Sequence, residues 1–432
     1  MIKSKIIQAF AGIFIWGITS AQAQDFLSLN DTAVVKAEET PSTAAPIMAK
    51  KWNHIESKYF TMNIGVAMFL DHNTVSQDAD NIEQVGDIGP ATEFRAERLI
   101  LSGSLKFSKH PWRYMISGNY NGLDQQDGKD LFSIIDLNLE IPFGEKSGWL
   151  TIGKMKEGVG HEYVAPGSQL AFTERGSGVP PFIKQRNVGL RYSNSVLDHR
   201  VTYTFGVFNN WLEKGNTNSF GENGMQLTSR ITALPIYKSA RELMHVGIGW
   251  RYTEAPGGKL SYKAKPEANT APSFINTGSF DASNANTLML EWIGVKGPFS
   301  VVADYMNTFV KSSSTGNPNF SYYGFGGSWF ITGENRNYNT QIGNLGKLIP
   351  KKNFKFNKHT GPGAFEIAAR YTKSNFTDGN IYGGKFGRFT TALSWFPNAH
   401  FRYEIDYGRG VLDKNNITGK ANFWQFRAQF EL

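Results

Sequence analysis

From Asn422 to Leu432 apolar and polar side chains alternate without a break. In an extended strand this puts Trp424, Phe426, Ala428, Phe430 and Leu432 on one face and Gln425, Arg427, Gln429 and Glu431 on the other. One face suits hydrocarbon and the other suits water. The same period of two recurs in segments 58–70, 92–109, 112–121, 131–143, 147–156, 186–194, 200–212, 225–235, 242–254, 286–296, 298–310, 320–332, 364–375, 386–396, 399–409 and 421–432. An even set of segments, each of roughly ten residues and bounded by turn formers, predicts an all-β fold: a 16-stranded antiparallel transmembrane β-barrel.

The connections carry a second signal. Lys109-His110-Pro111, Gly144-Glu145-Lys146, Gly297-Pro298 and Pro397-Asn398-Ala399 are tight, whereas 71–91, 157–185, 255–285 and 410–420 are longer and polar. Short turns on the periplasmic side and long loops outside are the rule for such barrels, and this assignment puts both termini in the periplasm. One link departs from the rule: 333–363 is long and basic yet falls on the short-turn side. It is either a true extension or a missed pair of strands.

The leader fits export. Lys3 and Lys5 precede an apolar run from Ile6 to Ile18 and then Ala21-Gln22-Ala23, which predicts a signal peptide over 1–23. That run is too short to span a bilayer, which takes about 20 apolar residues. Residues 24–57, rich in Ala, Thr, Pro and Lys, read as a periplasmic arm, and 58–432 as the barrel. The chain has no cysteine, so disulfides and a lipidated cysteine are excluded. Its 45 glycines and 14% aromatic content suit tight turns and interfacial girdles. The net charge of +8 becomes +6 without Lys3 and Lys5, a modest basic excess that favours anions.

Alternation also sorts the charges. With Leu99, Leu101, Leu105 and Phe107 outward, Arg98, Ser102, Ser104 and Lys106 turn to the lumen, as do Arg191, Arg230, Arg251, Arg370, Arg388, Arg402 and Arg427. Lumenal acids are Glu291, Asp304, Glu366, Glu404, Asp406 and Glu431. So many ions need water or partners, which makes a hydrated channel the simpler expectation and a salt-bridged, poorly conducting interior the alternative. The third long loop is expected to fold inward and narrow the barrel. Around it Lys154, Lys156, Arg175, Lys184 and Arg186 outnumber Glu157, Glu162 and Glu174, an excess of two that would concentrate anions at a constriction. Arginine suits phosphate through its bidentate fork.

Ile152-Gly153-Lys154-Met155-Lys156-Glu157-Gly158, Phe172-Thr173-Glu174-Arg175, Arg186-Asn187-Val188-Gly189 and Phe205-Gly206-Val207-Phe208-Asn209 resemble the phosphate-selective porin O and P family. Trp329-Phe330-Ile331-Thr332-Gly333-Glu334 and Ala364-Phe365-Glu366-Ile367-Ala368-Ala369-Arg370-Tyr371 extend the resemblance. It implies a sixteen-stranded barrel, usually a trimer, that passes phosphate or related anions, with Lys154, Lys156, Arg175 and Arg186 as the anion-binding positions. The dense lumenal arginine ladder of that family is replaced here by interspersed acids and bases.

Other classes find little support. His54, His72, His110, His161, His199, His245, His359 and His400 are scattered singly, and the chain has neither a Gly-x-Ser-x-Gly elbow nor a His-Glu-x-x-His pair. No enzyme, metal site or cofactor is predicted. Lys347, Lys351, Lys352, Lys355 and Lys358, interleaved with Phe354 and Phe356, suit lipid phosphates or a partner better than nucleic acid. The expected partners are outer-membrane lipid, small anions and further copies of the chain. The competing function is an accessory or scaffold barrel in a larger outer-membrane complex.

Overall fold

A computed structural model describes residues 52–120, 131–144, 147–209, 224–355 and 361–432. The leader and most of the arm lie outside these residues. Sixteen antiparallel strands form the wall: β1 (Thr61–Gln77), β2 (Ala91–Leu105), β3 (Trp112–Tyr120), β4 (Phe132–Pro142), β5 (Trp149–Met155), β6 (Asn187–Val196), β7 (Val201–Asn209) and β8 (Met225–Ser239). They continue as β9 (Glu242–Glu254), β10 (Asn284–Lys296), β11 (Phe299–Lys311), β12 (Asn319–Phe330), β13 (Ala364–Asp378), β14 (Ile381–Phe396), β15 (Phe401–Lys414) and β16 (Ile417–Glu431). Each pairs with its neighbour, and β16 returns to β1 from Ala67↔Glu431 to Gln77↔Ala421, closing the barrel. Every segment expected to be a strand is one. The end of the arm joins the wall too, because His54–Glu56 pairs with Asn63–Thr61 of β1.

The strands run further than their apolar pattern. β13 and β14 are joined by Gly379-Asn380 alone, and Lys414 pairs with Ile417 around Asn415-Asn416. Both asparagines have positive φ, 56° and 64°, the geometry of the tight hairpin turn that asparagine tolerates. The expected long loop over 410–420 is therefore corrected to a two-residue turn. Polar residues such as Lys414, Thr418 and Lys420 read as loop in the sequence, but backbone pairing needs no apolar face once the ladder rises out of hydrocarbon.

The link between β12 and β13, 331–363, is a true extension. Its first part forms a small hairpin, Tyr338–Asn339 against Asn344–Leu345, whose Tyr338 hydroxyl meets His245 Nδ1 of β9 at 2.5 Å. The loop between β9 and β10 carries another hairpin, Lys259–Ala264 against Ile275–Asp281. Its Tyr262 joins an aromatic knot with Phe182 of the 156–186 loop and with inward-row Phe320 and Phe376. Phe182 and Phe320 both stack on Phe376, at centroid distances of 5.0 and 5.4 Å. This knot belongs to the largest apolar core among the described residues, and it is built from loops as much as from the wall.

Candidate functional site

The inward rows carry the charges that alternation assigned to them, and the segment between β5 and β6 touches most of those rows. Its three carboxylates all go to wall arginines. Glu157 takes a bidentate pair from Arg251 of β9 at 2.6 and 3.0 Å. Glu162 meets Arg370 of β13 at 3.2 Å, and Glu174 pairs with Arg95 of β2. Thr173 is held by both its backbone N–H and its hydroxyl on Asp406 of β15, each at 2.9 Å, while Arg427 of β16 donates to its carbonyl at 2.8 Å. His161 sits 2.8 Å from Asp304 of β11. Burial alone would lower the imidazole pKa, but the Asp304 carboxylate, with Glu162 and Glu291 beyond it, raises it from 6.5 to about 9. The backbone passes so close to Tyr322 of β12 that a Cβ at Gly176 or Gly178 would run into its ring.

The cations of the same segment are held differently. Lys156 Nζ donates to the carbonyls of Val164 and Ala165, at 3.0 and 2.9 Å. Arg175 donates to the carbonyls of Glu162 and Ala165, at 2.8 and 3.2 Å, and lies over the Tyr163 ring. Arg186 takes Asp136 of β4 at 2.9 Å, and Arg98 of β2 donates to the Asn119 side chain at 3.0 Å. These four basic groups are within electrostatic reach of one another. Burial first, then the positive charges of Arg186, Arg175 and Arg98, hold the Lys156 amine well below its usual range, with Asp136 opposing them. The loop thus separates its charges, presenting acids to arginines on the wall and leaving a basic cluster whose direct ion pair is to Asp136, with Glu162, Glu174 and Glu431 further off.

The remaining predicted positions divide. Arg191 lies on the inward row beside this cluster, donating to the Lys156 carbonyl at 2.9 Å and 3.7 Å from Glu140. Lys184 is half-buried near the end of the loop. Arg230 and Arg251 face inward but are consumed: Arg230 makes a bidentate pair with Glu291 at 2.7 and 2.8 Å and donates to the carbonyls of Ile342 and Gly343. Lys106 sits at the turn end, 2.7 Å from Glu56 of the arm. Lys154 is a correction. It pairs with Leu137, shares the outward row with Ile152 and turns its amine to the Ile134 carbonyl at 2.9 Å. The family motif drew it into the loop, but the strand still runs through Met155 and its alternation decides the face.

One inserted acid and one inserted base escaped the sequence reading. Glu267, at the tip of the 255–283 loop, binds Arg370 at 2.8 Å and receives the Ser177 N–H at 3.0 Å. Arg336, in the 331–363 link, pairs with Glu366 of β13 and donates to the Gln169 carbonyl at 2.5 Å. Asp136 was legible, since it alternates with Leu137 in a strand whose outward face is plain.

A closed antiparallel barrel of sixteen strands with charged inward rows and an apolar outer band defines an outer-membrane channel of the porin kind. The model of the family described as phosphate-selective porin O and P matches residues 70–432, and the chain belongs to that family. Among solved structures, an anion-selective porin from Comamonas acidovorans aligns at 10% identity and a TM-score of 0.54, covering 86% of this chain and 100% of that one. The outer-membrane channel DcaP of Acinetobacter baumannii aligns at 14% and 0.52, covering 88% and 99%. OmpT of Vibrio cholerae aligns at 9% and 0.54, covering 88% and 100%. At such identities the likeness is one of fold. An uncharacterised protein of Caulobacter vibrioides is 31% identical over 102 residues, which is 23% of this chain and 19% of that protein.

Proposed function

We propose that the chain is a passive channel for small anions, phosphate among them, with the 156–186 loop folded inward as its constriction. The observation that carries this reading is the separation of charge within the loop. Its carboxylates are spent on wall arginines, while Arg98, Lys156, Arg175 and Arg186 gather near Asp136, the carboxylate that pairs directly with the group. A solute at that cluster meets a positive potential at reduced dielectric, where an anion is favoured. The two arginines bonded only to neutral oxygens, Arg98 and Arg175, retain donors for a phosphate oxygen. The name of the Comamonas porin, anion-selective, is in keeping with this.

In the same reading residues 1–23 are an export leader, the tight-turn end faces the periplasm with both termini, and three copies associate through the apolar outer wall. A second reading, a barrel that conducts little and serves a larger complex, draws on the three segments packed against β8–β16. Planar-bilayer recording separates the two. The first expects stable single-channel currents, a reversal potential in a salt gradient that marks anion preference, and partial block of chloride current by phosphate. Replacing Arg175 and Arg186 together with Gln is expected to shift the reversal potential toward cations. Absence of current favours the second reading, and an unshifted potential removes the loop from selectivity.

A further inference from the structure

We infer that residues 351–355 and 361–363 form a strap on the outer wall that binds the phosphate headgroup of an anionic phospholipid in the leaflet at the tight-turn end. The 331–363 link begins inside the barrel, where Arg336 and Tyr338 meet Glu366 and His245. It leaves over the rim at Leu348, which packs among Phe330, Ala364 and Phe396. Beyond the rim it lies on the lipid-facing side. The Phe354 ring stands edge-on to Trp395 at 5.2 Å, and the Phe354 N–H donates to the Pro397 carbonyl at 2.7 Å. Trp395 is on the outward row, stacked with Phe365 at 6.0 Å and Tyr403 at 5.6 Å, and its indole N–H donates to the Pro362 carbonyl at 2.8 Å. Gly363, at φ 78°, turns the strap back and donates to the Lys352 carbonyl at 3.2 Å.

This aromatic stack continues without a gap into the exposed apolar band above it, Ile367, Leu393 and Ile405. Rings of this kind sit where hydrocarbon gives way to headgroups. At that level the strap exposes Lys351, Lys352 and Lys355. Two rim acids among the described residues are engaged: Glu431 faces Lys347 at 3.8 Å, and Glu334 accepts the Lys351 N–H at 3.2 Å. Lys351 reaches back to the Gly333 carbonyl at 2.6 Å, leaving Lys352 and Lys355 pointing from the strap beside Phe354. Cations fixed at headgroup depth next to an acyl-contacting ring recognise a phosphodiester by charge and the chain beneath it by burial.

Which leaflet this is rests on the orientation proposed above; the headgroup chemistry does not. Phosphatidylglycerol is titrated against phosphatidylcholine with the full chain in detergent, and bound lipid is counted by native mass spectrometry. Each lysine at a charged membrane surface contributes about fivefold, so Lys352→Gln with Lys355→Gln is expected to lose about 25-fold of the preference for phosphatidylglycerol. Lys373→Gln with Arg409→Gln, two exposed outward cations toward the other end of the wall, is expected to leave that preference intact. Equal binding of the two lipids by the native chain, or an equal loss in the control pair, overturns the site. A lipid preference that stays while the trimer mass is lost in the strap variant assigns the strap to contact between copies instead. In intact cells Lys355→Cys, the only thiol in a chain that has none, is expected to resist a membrane-impermeant maleimide. Labelling there reverses the orientation and moves the site to the outer leaflet, with the titration unaffected.

Discussion

The wall from β2 to β7 and the wall from β8 to β16 obey the same alternation but have different interiors. In β13 to β16 inward residues are buried almost without exception, each arginine tied to a carboxylate or carbonyl from the wall or an inserted segment. In β2 and β6 most residues are half-buried, and inward polar residues of this wall such as Arg98, Asn119, Asn138 and Arg191 stay partly accessible. The number of strands therefore does not fix the width of a lumen. Among the described residues, loops and a link fill the β8–β16 side with ion pairs and an aromatic knot, while the basic cluster lies on the other side. Salt bridging, one of the two expectations for the lumen, is met in the β8–β16 sector.

The contrast is tested most strongly by breaking a pair on the filled side. Arg230→Met leaves Glu291 buried and uncompensated and removes two donors to the link, so a loss of about 3–5 kcal/mol is expected, read as thermal unfolding in detergent. Arg98→Met on the open side is expected to cost within about 0.5 kcal/mol by the same assay while lowering anion preference in bilayers. Equal losses would erase the distinction between the walls.

Thiol reactivity maps the distinction directly, because the native chain carries no cysteine. Cysteine at Asn119 or Asn138 is expected to react with a water-soluble thiosulfonate and change the current. Cysteine at Ser394 or Gln425, whose native side chains are buried, is expected to stay silent. Reaction at all four would mean water fills both sectors.

A smaller effect concerns the seam between them. The His161 imidazole is protonated up to about pH 9 because of Asp304. A group whose pKa rises on folding contributes fully below its unfolded value, near 6.5, and nothing above about 9. The 156–186 loop is therefore expected to loosen between those limits, read as growing current noise or protease sensitivity. His161→Gln should flatten the profile.

Asn416→Ala at the β15–β16 turn forces alanine into a left-handed conformation at a cost of roughly 1 kcal/mol, and the open sector should not register it.

What could be read from the chain follows from the reach of each signal. A period of two is local, so the sixteen wall strands and the inward rows of Arg98, Arg230 and Asp406 were legible, whereas the short hairpin at Lys259–Ala264 and Ile275–Asp281 was not. The faces failed only where a motif overruled the period, at Lys154. Strand ends beyond hydrocarbon were missed because Thr377 or Lys420 carries no apolar alternation there. The partners were illegible for a different reason. Nothing near Glu267 or Arg336 announces that one will meet Arg370 and the other Glu366, since those pairs are set by how loops from opposite ends enter a closed cylinder.

The third loop and the 331–363 link enter from opposite mouths and are fastened to each other, with Asn344 donating to the His161 carbonyl at 2.9 Å and Arg336 to that of Gln169. The two openings are thus mechanically yoked. A displacement of either segment reaches the other through those two bonds.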